Sequence, residues 1–209
     1  MSSIGSLALV FLLLLDQFPG RVHLSTAALP LPPSKTVETG LVILSASIDP
    51  TGIPACIEVV QGASPFIEPA LLAVRKWTFD TNNMKTTSTV TIAILFRART
   101  TLPDQPSVLN MPCVPCEPCS ADSAPKPSTI VDPGYPSQSI AEGSVILQMQ
   151  IDSKGGVQKT DVIREVPSLT SSAKEAVSQW RFVPARQNGR AVPGTAVAVI
   201  SFLSPVLVH

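Results

Sequence analysis

The stretch "AVSQWRFVPARQNG" occupies residues 176–189, and a looser version, "AVRKWTFDTNN", occupies residues 73–83. Both pass from a small apolar pair to a tryptophan, one spacer and a phenylalanine. Trp77 and Trp180 stand 103 residues apart, and the same shift aligns much more. Gly40 falls on Gly143, and "VIL" at 42–44 falls on "VIL" at 145–147. Ile48 and Asp49 fall on Ile151 and Asp152, Gly52 on Gly155, and Phe79 on Phe182. A constant offset without gaps marks an internal repeat.

The second copy shows what one unit folds into. "SVILQMQID" puts Val145, Leu147, Met149 and Ile151 on one face and Gln148 and Gln150 on the other, the alternation of a half-buried strand. "DSKG" at 152–155 is a tight turn, with Gly155 free to take a positive φ. "VQKTDVIRE" then returns as an antiparallel strand, because the connection is so short. After Pro167, Ser168 is placed to cap a helix. Leu169, Ala173, Ala176, Val177 and Trp180 form its apolar stripe, and Phe66, Ala70, Ala73, Val74 and Trp77 repeat it. "QNGR" at 187–190 turns the chain, and "TAVAVISF" at 195–202 is the last strand.

The expected fold class is α+β. Two small domains of order strand-strand-helix-strand are each one helix on an antiparallel sheet. The first spans residues 36–99 and the second 133–205. Residues 100–132, with Pro103, Pro106, Pro112, Pro115, Pro118, Pro125 and Pro127, read as a proline-rich, solvated linker.

Residues 1–27 read as a signal peptide or a short N-terminal anchor. The apolar run from Ile4 to Leu15 is shorter than the roughly 20 residues that span a bilayer. "STA" ending at Ala27 has the small residues of a cleavage site. Charge is balanced at 15 basic and 15 acidic residues, so no basic field is available to hold nucleic acid.

Cys56 stands alone, while Cys113, Cys116 and Cys119 fall in "CVPCEPC". In a polyproline II stretch, residues three apart are separated by about 9 Å. That is beyond the roughly 7 Å limit for a disulfide. The context favours plain linker cysteines over a disulfide involving Cys56, and that over a metal site. No metal or cofactor is expected. His23 and His209 lie outside both domains, so no Ser-His-Asp or Cys-His group can form in a core, and an enzyme is not expected.

Several residues together carry a family resemblance. They are Tyr135-Pro136, Gly143 before a strand, Asp152 and Gly155 in the turn, and Trp180-Arg181-Phe182 followed by Pro184, Ala185 and Gly189. In this pattern, residues 133–204 resemble the C-terminal domain of TonB-family proteins. Residues 36–99 resemble a degenerate copy that keeps Trp77 and Phe79. The resemblance implies a periplasmic domain that follows a proline-rich linker. In the family, an N-terminal membrane helix couples it to a proton-driven inner-membrane motor complex, and the domain takes a short segment of an outer-membrane receptor as an added strand. This sequence departs from the family in three ways: its N-terminal apolar run is short for an anchor, no His lies within that run because His23 falls after Pro19-Gly20, and two domains stand where the family usually has one. The binding half of the resemblance therefore carries over better than the energy-transducing half.

Trp180 and Phe182 are read as core, and Arg181 and Arg186 as solvated charges. Tyr135 either packs on the domain or lines a binding edge. The candidate binding surface is the backbone edge of the last strand: Thr195, Ala196, Val197, Ala198, Val199, Ile200, Ser201 and Phe202. It is apolar and uncharged, so it invites a partner strand. The competing arrangement covers it with a terminal segment or with the other copy, around residues 88–96. The leading reading is a TonB-like protein-binding module for transmembrane transport, with energy transduction as its further extension. The alternative is a non-transducing periplasmic scaffold.

Overall fold

The computed structural model describes residues 22–33, 38–82, 84–111 and 122–206. Its first half runs β1 (His23–Thr26), β2 (Gly40–Ile48), β3 (Pro54–Gln61), α1 (Ile67–Val74), β4 (Thr78–Asp80) and β5 (Ser88–Phe96). β6 (Ser107–Asn110) and β7 (Lys126–Asp132) follow. The second half runs β8 (Gly143–Ile151), β9 (Val157–Arg164), α2 (Pro167–Ser178), β10 (Arg181–Val183), β11 (Ala185–Gln187), β12 (Arg190–Val192) and β13 (Gly194–Phe202).

The order strand-strand-helix-strand appears in both halves, with β8, β9 and β10 each 103 residues beyond β2, β3 and β4. Detailed contacts recur at the same offset. Gly52 and Gly155 take φ of 86° and 85°. A Cβ at either position would collide with the carbonyl oxygen of Phe79 or Phe182, so only glycine lets that strand approach. The Phe79 N–H donates to the Gly52 carbonyl at 2.8 Å, and the Phe182 N–H to the Gly155 carbonyl at 2.9 Å. The Trp77 indole N–H donates to the Ala28 carbonyl and that of Trp180 to the Val131 carbonyl, both at 2.9 Å.

The halves do not stand apart. They share a six-stranded sheet in the order β3-β2-β5-β13-β8-β9. Every pairing in it is antiparallel except the central one, where β5 and β13 run parallel. Side chains alternate across a strand, and here the alternation feeds two cores. Val42, Leu44, Ala46 and Ile48 join the core under α1, together with Ile146, Val197 and Val199 from the second half. Val145, Leu147, Met149, Ala196, Ala198 and Ile200 join the core under α2, together with Ile43, Ala93 and Leu95 from the first half. The helices thus lie on opposite faces of one sheet, and each half completes the core of the other.

This arrangement corrects three expectations. The region read as a solvated linker contributes β6 and β7, and β7 pairs with β10 on one side and β6 on the other. The physical reason is the β-branched run Thr129-Ile130-Val131, whose Ile130 is fully buried. Residues 112–121, with Cys113, Cys116 and Cys119, lie outside the described residues. The end of the segment read as a leader is likewise part of the fold. β1 pairs with β4, and Val22 and Leu24 are buried. β7 lies 103 residues beyond β1, so both are the same leading strand of their halves. Residues 1–21 lie outside the described residues. Finally, Ser168 is not the cap of α2. The helix starts at Pro167 after Val166. The Thr170 hydroxyl accepts from the Val166 N–H and donates to its carbonyl, both at 2.9 Å, while Ser168 pairs with Ser139.

Polar ties close the junction between the halves. The Gln148 side chain accepts from the Leu24 N–H at 2.7 Å and donates to the Val22 carbonyl at 2.9 Å. The Pro125 carbonyl, which matches that of Val22 at the 103-residue offset, accepts from the Thr91 hydroxyl of β5. Each half thereby holds the leading segment of the other. Arg97, just past β5, donates Nε to Asp132 at 2.6 Å, pairs with Asp104 and lies 5.2 Å from the centre of the Phe202 ring.

Candidate functional site

The surface expected to capture a partner strand is already occupied. Along one side of β13, Ala196 to Ser201 face Thr91 to Phe96 of β5 in parallel register. Along the other, Gly194 to Phe202 face Ile151 to Gly143 of β8 in antiparallel register. Ala196, Val197, Ala198, Val199, Ile200, Ser201 and Phe202 are buried, and Thr195 is partly so. The expectation of a free edge over residues 195–202 is therefore corrected: β13 is the centre of the sheet. The uncharged sequence of this strand has the physical cause already weighed, cover by the other half. Val197 and Val199 are apolar because they enter the core under α1.

The family-motif residues are brought together as scaffold rather than as a reactive group. Trp180 and Phe182 are buried side by side, with ring centres 6.4 Å apart. Tyr135 is buried edge-on to Phe202 at 6.0 Å, and its hydroxyl donates to the Ala141 carbonyl. Arg181 is exposed and donates to the Trp180 carbonyl at 2.8 Å. Ala185 begins the β11–β12 hairpin next to Pro184, and Asn188 and Gly189 turn it with φ of 51° and 76°. Both residues at positive φ make the turn compatible with strand twist. Gly143 opens β8 at Phe202.

Asp152 accepts from the N–H groups of Lys154 at 2.8 Å and Gly156 at 2.9 Å. The bond from Gly156, followed by that from Lys154, holds its carboxyl below the ordinary range. Asp49 repeats the turn and is lowered chiefly by the Thr51 hydroxyl. Among the described residues, no three His, Cys, Asp or Glu stand close enough to share a metal. Nor is any described helix long and apolar enough to cross a membrane.

The ends of the shared sheet are β3 and β9. Each carries two bulges, at Ala55 and Val60 and at Gln158 and Ile163. Their side chains differ sharply. β9 displays Lys159, Asp161 and Arg164, with Lys159 and Asp161 ion-paired at 2.8 Å. At the matching positions β3 has Cys56, Glu58 and Gln61. Charges along an edge discourage pairing with other chains, and β3 has lost two of three. Val59 and Val60 on β3 are about half exposed, at 42 % and 50 %. Beside β3, on the sheet face opposite α1, lies an open cleft of about 1290 Å³. Its lining draws Ser45, Ser47, Glu58, Val60 and Thr89 from the first half, Gln150, Ile151 and Thr195 from the second, and Lys85, Lys126 and Arg186 as cations, together with residues 122–127 and the β11–β12 hairpin. Sequence reasoning overlooked this edge. The signal was present in the repeat itself, in the replacement of Lys159 by Cys56 and of Arg164 by Gln61 103 residues earlier.

The family model for the Gram-negative bacterial TonB protein C-terminal matches residues 132–203, from the last residue of β7 through β13. Searches of curated proteins and of solved structures each returned no match.

Proposed function

We propose, for a chain whose residues 132–203 carry a TonB C-terminal domain, that the protein is a periplasmic protein-binding scaffold that does not transmit force through that domain. The observation that carries this reading is the pairing of β13 on both sides. The family grips receptors by adding a strand to its sheet. Here β5 fills a side of the last strand that such a segment could use. Opening it would expose Ile92, Ile94, Val197 and Val199, all fully buried in one core. Burial of one such side chain is worth roughly 1.5–3 kcal/mol, so a short receptor peptide is a poor competitor.

The same reading takes the first half as a degenerate TonB-like copy. Support comes from the 103-residue offset of its strands, its tryptophan contact and its glycine turn. Periplasmic location rests on the domain match. An isotope-labelled sample of the full chain, titrated with a peptide from the extended N-terminal segment of a TonB-dependent receptor, tests the proposal. The amides of β13 are expected to stay unmoved. Saturable shifts along residues 195–202 would restore the transducer reading.

A further inference from the structure

We infer that the cleft beside β3 is a binding site for a short acidic oligosaccharide, a chain of sugar rings that bear carboxylates. This goes beyond the reading of β13 and concerns a different ligand. The cleft has a counterpart at the 103-residue offset. A recess of about 320 Å³ beside β9 is lined by Val22, His23, Gln148, Gln150, Asp161 and Ile163. The matching residues Pro125, Lys126, Ser45, Ser47, Glu58 and Val60 all line the cleft of about 1290 Å³. The two are the same place in the two halves, and they differ in how far their floor side chains reach. Beside β9, Gln148 spans the gap to the leading segment and bonds Leu24 and Val22. Serine is too short for that reach, so Ser45 and Ser47 leave the floor open. Register sets Ser45 beside Thr91 and Ser47 beside Thr89, which gathers four hydroxyls on the floor of the cleft.

Hydroxyls both donate and accept, as do the amides of Gln150 and Gln187 in the same lining. Such a surface matches a ligand that is itself dense in hydroxyls. Val60, Met84 and Val192 offer apolar contact to the C–H faces of its rings. Three cations, Lys85, Lys126 and Arg186, line the cleft against two carboxylates, Glu58 and Asp122. Asp122 already accepts from the Asn188 N–H at 2.7 Å. Lys85, on the β4–β5 connection, and Arg186, on β11, are exposed, and among the described residues no carboxylate pairs with either. They come from different halves and would hold sugar carboxylates by charge-assisted hydrogen bonds. Glu58 would accept from ring hydroxyls between them. Small-molecule sites occupy roughly 300–1,000 Å³, and this cleft is larger, which suits several rings rather than one. A nucleic acid fits less well. Single strands stack their bases on aromatic side chains, and among the described residues of the lining there is no Phe, Tyr, Trp or His.

The test titrates the isotope-labelled full chain with three probes. They are the α-1,4-linked tetramer of galacturonate, the neutral tetramer maltotetraose, and a tetraglutamate peptide that carries the charge without the hydroxyls. The galacturonate tetramer should shift the amides of Ser45, Ser47 and Thr89 saturably. The other two probes should bind more weakly by roughly tenfold or more, the loss of a charge-assisted or a few neutral hydrogen bonds. Ser45→Gln/Ser47→Gln restores to the first half the side chains that fill the recess beside β9. It should weaken the galacturonate tetramer by a similar factor with an unchanged thermal melt. Lys85→Ala/Arg186→Ala changes two exposed positions and should do the same, which keeps the test decisive if the glutamines disturb the sheet. No saturable shift from the galacturonate tetramer overturns the inference. Equal affinity for tetraglutamate would leave charge alone, and equal affinity for maltotetraose would make the site one for neutral sugars; either overturns it too. So does binding that both double variants leave untouched. The amides of β13, read in the same spectra, report separately on the scaffold reading.

Discussion

Val197 of β13 lies opposite Ile92 of β5, and both side chains enter the core beneath α1. A residue of the second half thus packs under the helix of the first. Two units joined side by side in this way gain stability only together. Their unfolding should be one cooperative event.

Ile146 tests this sharing directly. It belongs to β8 but is fully buried in the core under α1. Ile146→Ala should lower stability by about 2–5 kcal/mol in denaturant unfolding. If the halves were separate, the outward face of β8 would be surface, and the change would cost within about 0.5 kcal/mol.

Gln148→Leu should loosen β1 specifically. The variant keeps the volume but strands the Leu24 N–H and the Val22 carbonyl, both now bonded to the Gln148 amide. Leaving buried polar groups without partners costs about 1–3 kcal/mol each. Amide exchange at Leu24 should accelerate well beyond the exchange of β8. Unchanged protection would show that Gln148 does not hold the leading segment.

Acid should act on the turns. The carboxyl of Asp152 is held below its ordinary value near 3.9 by backbone donors, Gly156 first. A lowered folded pKa favours the charged form, so the contribution is present above the unfolded value. It is lost as pH falls through the lower folded one. Asp152→Asn keeps an acceptor for the turn without titrating. The amide shifts of Lys154 and Gly156 should titrate below pH 4 in the wild type and lie flat in the variant.

Much of each half was legible in the sequence. The alternation of Val145, Leu147, Met149 and Ile151 marked a strand, and the Asp152–Gly155 turn and the stripe ending at Trp180 set the order of elements. Their physical causes are local: period, turn chemistry and helical spacing. The partner of β13 was not legible in the same way. A strand with apolar residues on both faces reads alike whether a peptide, a terminal segment or the other copy covers it, and only the register with β5 decides. Gln148 looked solvent-facing because its bonds go to residues more than a hundred positions away. The leading strands were hidden for another reason. β1 is four residues long and falls inside the span read as a leader, and β7 begins among prolines. Local composition there spoke of leader and linker, while long-range pairing with β4 and β10 made strands of both.

Trp180→Phe joins these points in one measurement. The chain has two tryptophans, so this variant leaves Trp77 as the sole indole reporter, buried in the first half. Phenylalanine retains most of the buried ring but cannot donate to the Val131 carbonyl, which Trp180 now satisfies at 2.9 Å. An unmatched buried carbonyl costs about 1–3 kcal/mol, and the smaller ring adds a cavity cost. The damage is confined to the second half, far from Trp77 along the chain. If the shared sheet couples the halves, Trp77 fluorescence should report a midpoint lowered in step with the circular dichroism of the whole protein. Val131 belongs to β7, so amide exchange there should rise as well. A Trp77 transition that stays at the wild-type midpoint while the ellipticity melts in two steps would show two independent domains. The parallel seam between β5 and β13 would then be too weak to close the edge against a partner strand.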